Sequence, residues 1–251
     1  MPRITPFRLA AVCALALSLT FAFTAVASAK GLMADLRVVG TGGKVLAEKT
    51  LASADASVKT SSKATCFGPG TGGSGDSVEL KGNTAMGLLA SGAKTIPALR
   101  PLTISDHFDF GLALCGIGSS VAKGSSSWYL KINHKSLQVG GEVAKIKAGD
   151  EVLWALASTE GPDYTYPSEL VLSAPASAKA GTSFTVRVWS YDEKGKKTPQ
   201  AGAKVTGASA PTGADGRTTV TLAKPAKLVA KATGEIPSSR EAVCIGGKCP
   251  K

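Results

Sequence analysis

Residues 125–136 read SSSWYLKINHKS and gather a tryptophan, a tyrosine and one of the chain's two histidines into a short run beside glycine-rich stretches. Side chains alternate between the two faces of a strand, so Trp128, Leu130 and Ile132 share one side and Tyr129, Lys131 and Asn133 the other. The apolar side predicts a core-facing surface with the tryptophan inside it. Asn133 and His134 then fall where the strand turns. Tyr129, Asn133 and His134 are therefore the candidate ligand-binding residues, on the strand face and turn that such a core leaves free.

Working outward from this strand, the same period of two recurs in DLRVVG (35–40), EVAKIKA (142–148) and DEVLWALA (150–157), and again in ELVLSA (169–174), SFTVRVWSY (183–191), AKVTG (203–207), RTTVTLA (217–223) and KLVAKAT (227–233). In SFTVRVWSY, Phe184, Val186, Val188 and Ser190 point one way, and Thr185, Arg187 and Trp189 the other. One segment departs from the pattern. GNTAMGLLASGAK (82–94) offers Asn83 or Thr84 as a helix cap, an apolar stripe of Met86, Leu88 and Leu89, and Gly92 as a stop. The chain reads as mainly β with one short helix in its first half. STEGPDYTYPS (158–168) lacks apolar periodicity and carries glycine and two prolines, so we expect a linker over 158–167 between units at 30–157 and 168–251. PTGADGR (211–217) supplies a turn, and GPGTGGSG (68–75) reads as a flexible strand connection.

MPRITPFR, with two arginines and no acid, precedes an apolar run ending in Ala27, Ser28 and Ala29, the order of a secretory signal peptide over 1–29. Its removal leaves a basic chain with no expected membrane span. Lysines are spread along the whole length without interleaved stacking aromatics, which argues against nucleic acid as a partner. Of the five cysteines, Cys66, Cys115, Cys244 and Cys249 remain after export, and four cysteines allow three connectivities. The two glycines of IGGK between Cys244 and Cys249 permit a tight reversal, so we expect Cys244 to pair with Cys249 and Cys66 with Cys115. A secreted or cell-surface location follows from the leader and the disulfides together.

Catalytic constellations are weak. The glycine run at 70–75 has Asp76 where a phosphate-binding loop needs lysine. SDHFDFG (105–111) would set His107 and Asp109 on one side of a strand beside Asp106, two steps toward a metal site without a third ligand. No nucleophile elbow is present, and the exported cysteines are assigned to disulfides. The expectation is a non-enzymatic protein.

VELKGNTAMGLLASGA (78–93), SSWYLKINHK (126–135) and IKAGDEVLWAL (146–156) stand in the order and spacing of the transcobalamin C-terminal-like domain, a bacterial family, which residues 35–157 resemble. The matching positions are Thr84, Leu88 and Leu89, then Ser127, Trp128 and Asn133, then Gly149, Asp150, Val152 and Trp154. The region 168–249 resembles a bacterial immunoglobulin-like module. The resemblance implies a β-grasp-like α+β domain followed by an immunoglobulin-like β-sandwich. It also implies a ligand-binding ancestry, because in vitamin carriers the equivalent domain covers one face of cobalamin. Here no large helical domain precedes the unit within the sequence, and Ala155 and Leu156 follow Trp154 where relatives often place an aromatic residue, so no cofactor is expected. The expected function is an exported, non-catalytic cell-envelope protein that binds a small ligand or a surface polymer, with a purely structural or adhesive surface protein as the alternative.

Overall fold

The computed structural model describes residues 31–137, 139–158 and 165–250; the expected leader and most of the expected linker lie outside them. The described chain is mainly β. Its first part runs through β1 (Leu32–Gly40), β2 (Lys44–Ser53), β3 (Ala56–Lys59), β4 (Ser77–Leu80), α1 (Ala85–Thr95), β5 (Leu102–Phe108), β6 (Gly111–Ile117), β7 (Ser120–Val121), β8 (Ser126–Ile132), β9 (Lys135–Ser136) and β10 (Glu151–Ser158). The main sheet has the order β2-β1-β10-β8-β9. Strands β1 and β10 are parallel and the other neighbours antiparallel. Parallel neighbours need a long crossover, and the connection here carries α1, which packs on β1 and β2.

Helix α1 forms where the apolar stripe predicts it. The Thr84 hydroxyl accepts a hydrogen bond from the Gly87 amide at 3.1 Å, satisfying one of the free donors of the first turn. Met86, Leu88 and Leu89 are fully buried in a core with Leu36, Val38, Trp128, Leu130 and Trp154. Gly92 is not the stop it was expected to be. The helix continues to Thr95 and ends before Pro97, which disfavours helical backbone at the residue ahead of it. A Cβ on Gly92 would lie 2.6 Å from Leu36 Cδ2, so the glycine is there to let the helix approach β1. EVAKIKA also departs from expectation, forming turns rather than a strand. Its backbone serves the start of the helix instead, with the Ala144 and Gly141 carbonyls accepting from the Ala85 and Met86 amides at 2.9 Å each.

Both expected cysteine pairs are bonded. Cys66–Cys115 ties the 61–76 segment to β6, and this segment is not the loose connection its glycines suggested. Asp106 accepts from the Ser74 amide at 2.7 Å and from its hydroxyl at 2.6 Å, and the Gly73 amide donates to the Ser61 carbonyl at 2.8 Å.

The second part comprises β11 (Glu169–Ser173), β12 (Ser177–Ala178), β13 (Ser183–Tyr191), β14 (Lys197–Pro199), β15 (Lys204–Val205), β16 (Arg217–Thr221), β17 (Ala226–Leu228), β18 (Ala230–Lys231) and β19 (Glu241–Ile245). β13 pairs with β11, β14 and β16. As its alternation requires, Val186, Val188 and Ser190 are buried. On the opposite side Trp189 lies beneath the Arg187 guanidinium, 3.7 Å from the ring centroid. Leu170, Val188, Val220, Leu228 and Val243 form a second core.

The outer face of the main sheet decides the architecture of the candidate site. Strands β1, β8 and β10 are covered on both sides. One face turns Leu36, Trp128 and Trp154 into the core against α1. The other turns Val39, Tyr129, Leu153 and Ala155 toward Ile236 and Tyr166, which pack over them. A strand pressed from both sides cannot keep a solvated polar face, and the expectation of a free face at Tyr129 fails for that reason.

Candidate functional site

Register places a row of charge along the covered face. Arg37 on β1 and Lys131 on β8 both pair with Leu153 of β10, one on each side, so their side chains leave the sheet together. Glu151 lies two residues earlier on β10. Glu169, the first residue of β11, is brought over them by the second part of the chain. It is 1 % exposed, as is Lys131, and Arg37 is 3 % exposed. Arg37 Nη1 donates to Glu169 Oε1 at 3.1 Å and lies 3.5 Å from Glu151, while Lys131 Nζ stands 3.7 Å from Glu169 Oε2 and donates to the Tyr191 carbonyl at 2.9 Å. Arg37 also donates to the Pro237 carbonyl.

Asn133 and His134 form the two-residue turn between β8 and β9, both in the left-handed region at φ 49° and 67°. Hairpins favour this backbone because its twist matches the strands, and asparagine tolerates it well. Asn133 is consumed by structure: its amide nitrogen Nδ2 donates to Asp150 and its Oδ1 accepts from the Glu151 amide, both at 2.9 Å. The turn delivers His134 into the cluster. Its ring lies 4.1 Å from that of Tyr191, and Nδ1 is 3.1 Å from Glu169 Oε2. Tyr129 stacks on Tyr166, centroids 4.1 Å apart and nearly coplanar at 8°. Burial pushes its phenol up to about 12. The three predicted residues therefore do not converge on a common opening. His134 joins the charged cluster, Tyr129 the apolar part of the same contact, and Asn133 holds the turn.

Directions of titration follow from this geometry. The hydrogen bond to Glu169 raises His134 above the ordinary histidine range against the effect of burial. Burial pushes Glu169 up, but the His134 bond and the charges of Arg37, His134 and Lys131 outweigh it, and the carboxyl ends below its usual range. Burial lowers Lys131, with Glu169 opposing, and burial raises Glu151, aided by Glu169 and opposed by Arg37. A raised histidine stabilises the fold fully below about pH 6.5, and that contribution is lost as pH rises through the folded value. Urea midpoints measured between about pH 6 and 9 should fall with rising pH in the wild type and fall less in His134→Gln. Equal slopes would show that His134 does not take up its proton in this contact.

Chemically the cluster is an ion-pair lock. Two buried cations face two carboxylates, and every oxygen of Glu169 is engaged. His134, Glu151 and Glu169 do offer atoms within 4.8 Å of one another, the spacing of a metal site. A divalent ion there would stand against Arg37 and Lys131, which already share those carboxylates, so the set suits an ion-pair network rather than a metal.

A depression of about 280 Å³ opens beside the cluster at Arg37 and Glu151, and larger ones lie around residues 122–128, where the chain leaves β7 and enters β8. A depression of about 470 Å³ runs past Phe67, Phe110, Ser125 and Trp128 to Tyr166. Two more, of about 530 and 640 Å³, continue it on the sides of Ser126 and of the Cys66–Cys115 bridge, sharing Lys123. Phe110 is 73 % exposed and Phe67 58 %. Phe108 holds both, stacked on Phe110 at 4.7 Å and edge-on to Phe67 at 5.4 Å. The Ser126 hydroxyl donates to the Lys123 carbonyl at 2.7 Å and accepts from the Lys123 amide at 2.8 Å, closing a turn at the surface. Trp128 Nε1 is buried without a hydrogen-bond partner.

No family model matches the chain, and no curated protein matches it.

The remaining sequence candidates go to structural work. Strand β5 ends at Phe108, so Asp109 sits in the turn before Gly111 rather than on one strand with His107. Hydrogen bonds from Ser74 hold the Asp106 carboxyl below its usual range, the mark of a loop clamp. The groove was missed because Phe67, Phe110 and Lys123 are far apart in sequence; the signal that could have found it is Phe110 in HFDFG (107–111), too apolar for the turn it occupies.

Proposed function

We propose that this is an exported, non-catalytic cell-envelope protein that binds a surface polymer through the face around residues 122–128. The observation that carries the reading is the make-up of that face: three depressions that share lining residues, two of them bordered by the exposed rings of Phe67 or Phe110. Enclosed pockets suit small ligands, whereas a long open track with solvent-facing rings suits an extended chain. Contiguous exposed apolar surface marks an interaction site in a soluble protein. The order β2-β1-β10-β8-β9, with parallel central strands and α1 across them, supports a β-grasp-like first unit. The paired sheets around β13 support an immunoglobulin-like second one. Two disulfides accord with an oxidising compartment.

A structural or adhesive surface protein is the second reading. It is favoured by the burial of Tyr129 and the pairing of the partly buried His134 with Glu169 in the contact between the two parts, since residues that resembled a site there serve cohesion. Sedimentation of the mature protein with isolated cell-wall polysaccharide separates the two. The binding reading expects saturable retention that Phe110→Ala weakens by roughly tenfold, the size of one well-packed aromatic contact. Retention that neither saturates nor responds to Phe110 favours the structural reading.

A further inference from the structure

Within the polymer-binding reading, on which this inference rests, the lining of the face restricts the polymer. Among the described residues that line the three depressions there is no aspartate or glutamate. Lys63 and Lys123 do line them, and both are exposed. Hydroxyls are dense on the same ground, with Ser125, Ser126 and Ser127 in one depression. The Ser127 hydroxyl and the Tyr166 phenol are already joined at 2.9 Å, which leaves each able to make a further bond.

We infer that this face binds a negatively charged polysaccharide, with sugar rings against Phe110 and Phe67 and acidic groups toward Lys63 and Lys123. A pyranose ring presents axial C–H groups on one side, which pack on an aromatic face as other apolar surface does. Its hydroxyls lie around the edge and lose water on binding, so they need donors and acceptors beside the ring, and the serines supply them. A neutral glycan would use the rings and serines and leave the lysines without a role. An acidic one meets the exposed ammonium groups of Lys63 and Lys123, with no carboxylate among the described lining residues. The fixed Lys123–Ser126 turn and the disulfide beside Phe67 keep these groups in place before the ligand arrives, which lowers the ordering cost of binding.

The test compares three probes by calorimetry or surface binding: polygalacturonate, the same polymer with its carboxyls reduced to alcohols, and polyglutamate of similar length. Polygalacturonate should bind at least tenfold more tightly than either of the others, and increasingly weakly as salt is raised. Phe110→Ala should weaken both sugar polymers. The double change Lys63→Ala with Lys123→Ala should bring polygalacturonate down to the level of the reduced polymer and leave the latter unchanged. All three side chains are exposed, so unchanged melting temperatures serve as the folding control. Equal binding of the reduced polymer overturns the requirement for charge while leaving a polymer-binding face intact. Equal binding of polyglutamate, or lysine variants without effect, overturns the assignment to this face. Failure of all three probes overturns the inference, and retention on cell walls reports separately whether the underlying reading stands.

Discussion

Glu169→Ala should cost the protein about 3 to 5 kcal/mol, the range seen when one partner of a buried ion pair is removed. The reason lies in what remains. Arg37 and Lys131 are both almost wholly buried and both face this carboxylate, and without it the two positive charges keep Glu151 beside Arg37 and the charge of Asp192 acting on Lys131. Lys131 can shed its proton because burial already lowers its affinity for one; arginine cannot. The loss should therefore be dominated by Arg37. Urea denaturation monitored by tryptophan fluorescence measures it, and Glu169→Gln should recover only a small part, since the amide keeps an acceptor but no charge. The informative partner is the concerted replacement Arg37→Met, Lys131→Met and Glu169→Leu, expected near wild-type stability because it removes the charges together. A loss below about 1 kcal/mol for Glu169→Ala, a value ordinary for exposed pairs, would mean that the cluster is solvated.

The second large effect concerns the cysteines. Cys66–Cys115 closes a sequence separation of 49 residues and Cys244–Cys249 one of 5. On the chain-entropy account the first constrains the unfolded chain by about 4 kcal/mol and the second by about 2 kcal/mol. Paired serine substitutions, each measured by urea midpoint, should reproduce that order. Opening the first bridge has a further consequence, since Cys66 and Cys115 border the groove beside Phe67 and Lys123. Its removal should weaken wall retention as well as stability, whereas removal of the second bridge should leave retention unchanged. Equal losses of stability from the two would place the stabilisation in local contacts rather than in the loop closed.

How much was legible beforehand varies with the physics of each element. Trp128 and Leu130 sit in the core because alternation alone assigns them, and α1 forms where the cap and the apolar stripe coincide. Strands β2, β5 and β6 were not picked out, although they carry much of the pairing; KVLAEKTLAS (44–53) mixes lysines and glutamate into its alternation and reads as polar until its partner is known. Gly92 illustrates the opposite error, since the residue that ends helices is also the one that lets a helix press onto a sheet.

By itself the sequence pointed to the β class, the helix, the Cys244–Cys249 pair and the core face of 126–132, because each follows from period, backbone preference or short-range closure, whereas Cys66–Cys115, 49 residues apart, was reached only as the pair left over. Only the tertiary structure decided what the second face meets. Arg37, Lys131 and Tyr129 occupy positions that a single strand would offer to water, and Glu169 reaches them across 132 residues from Arg37. Long-range burial turns a polar face into an ion-pair lock. The same folding leaves Phe67, Phe110 and Lys123, distant in sequence, exposed around neighbouring depressions.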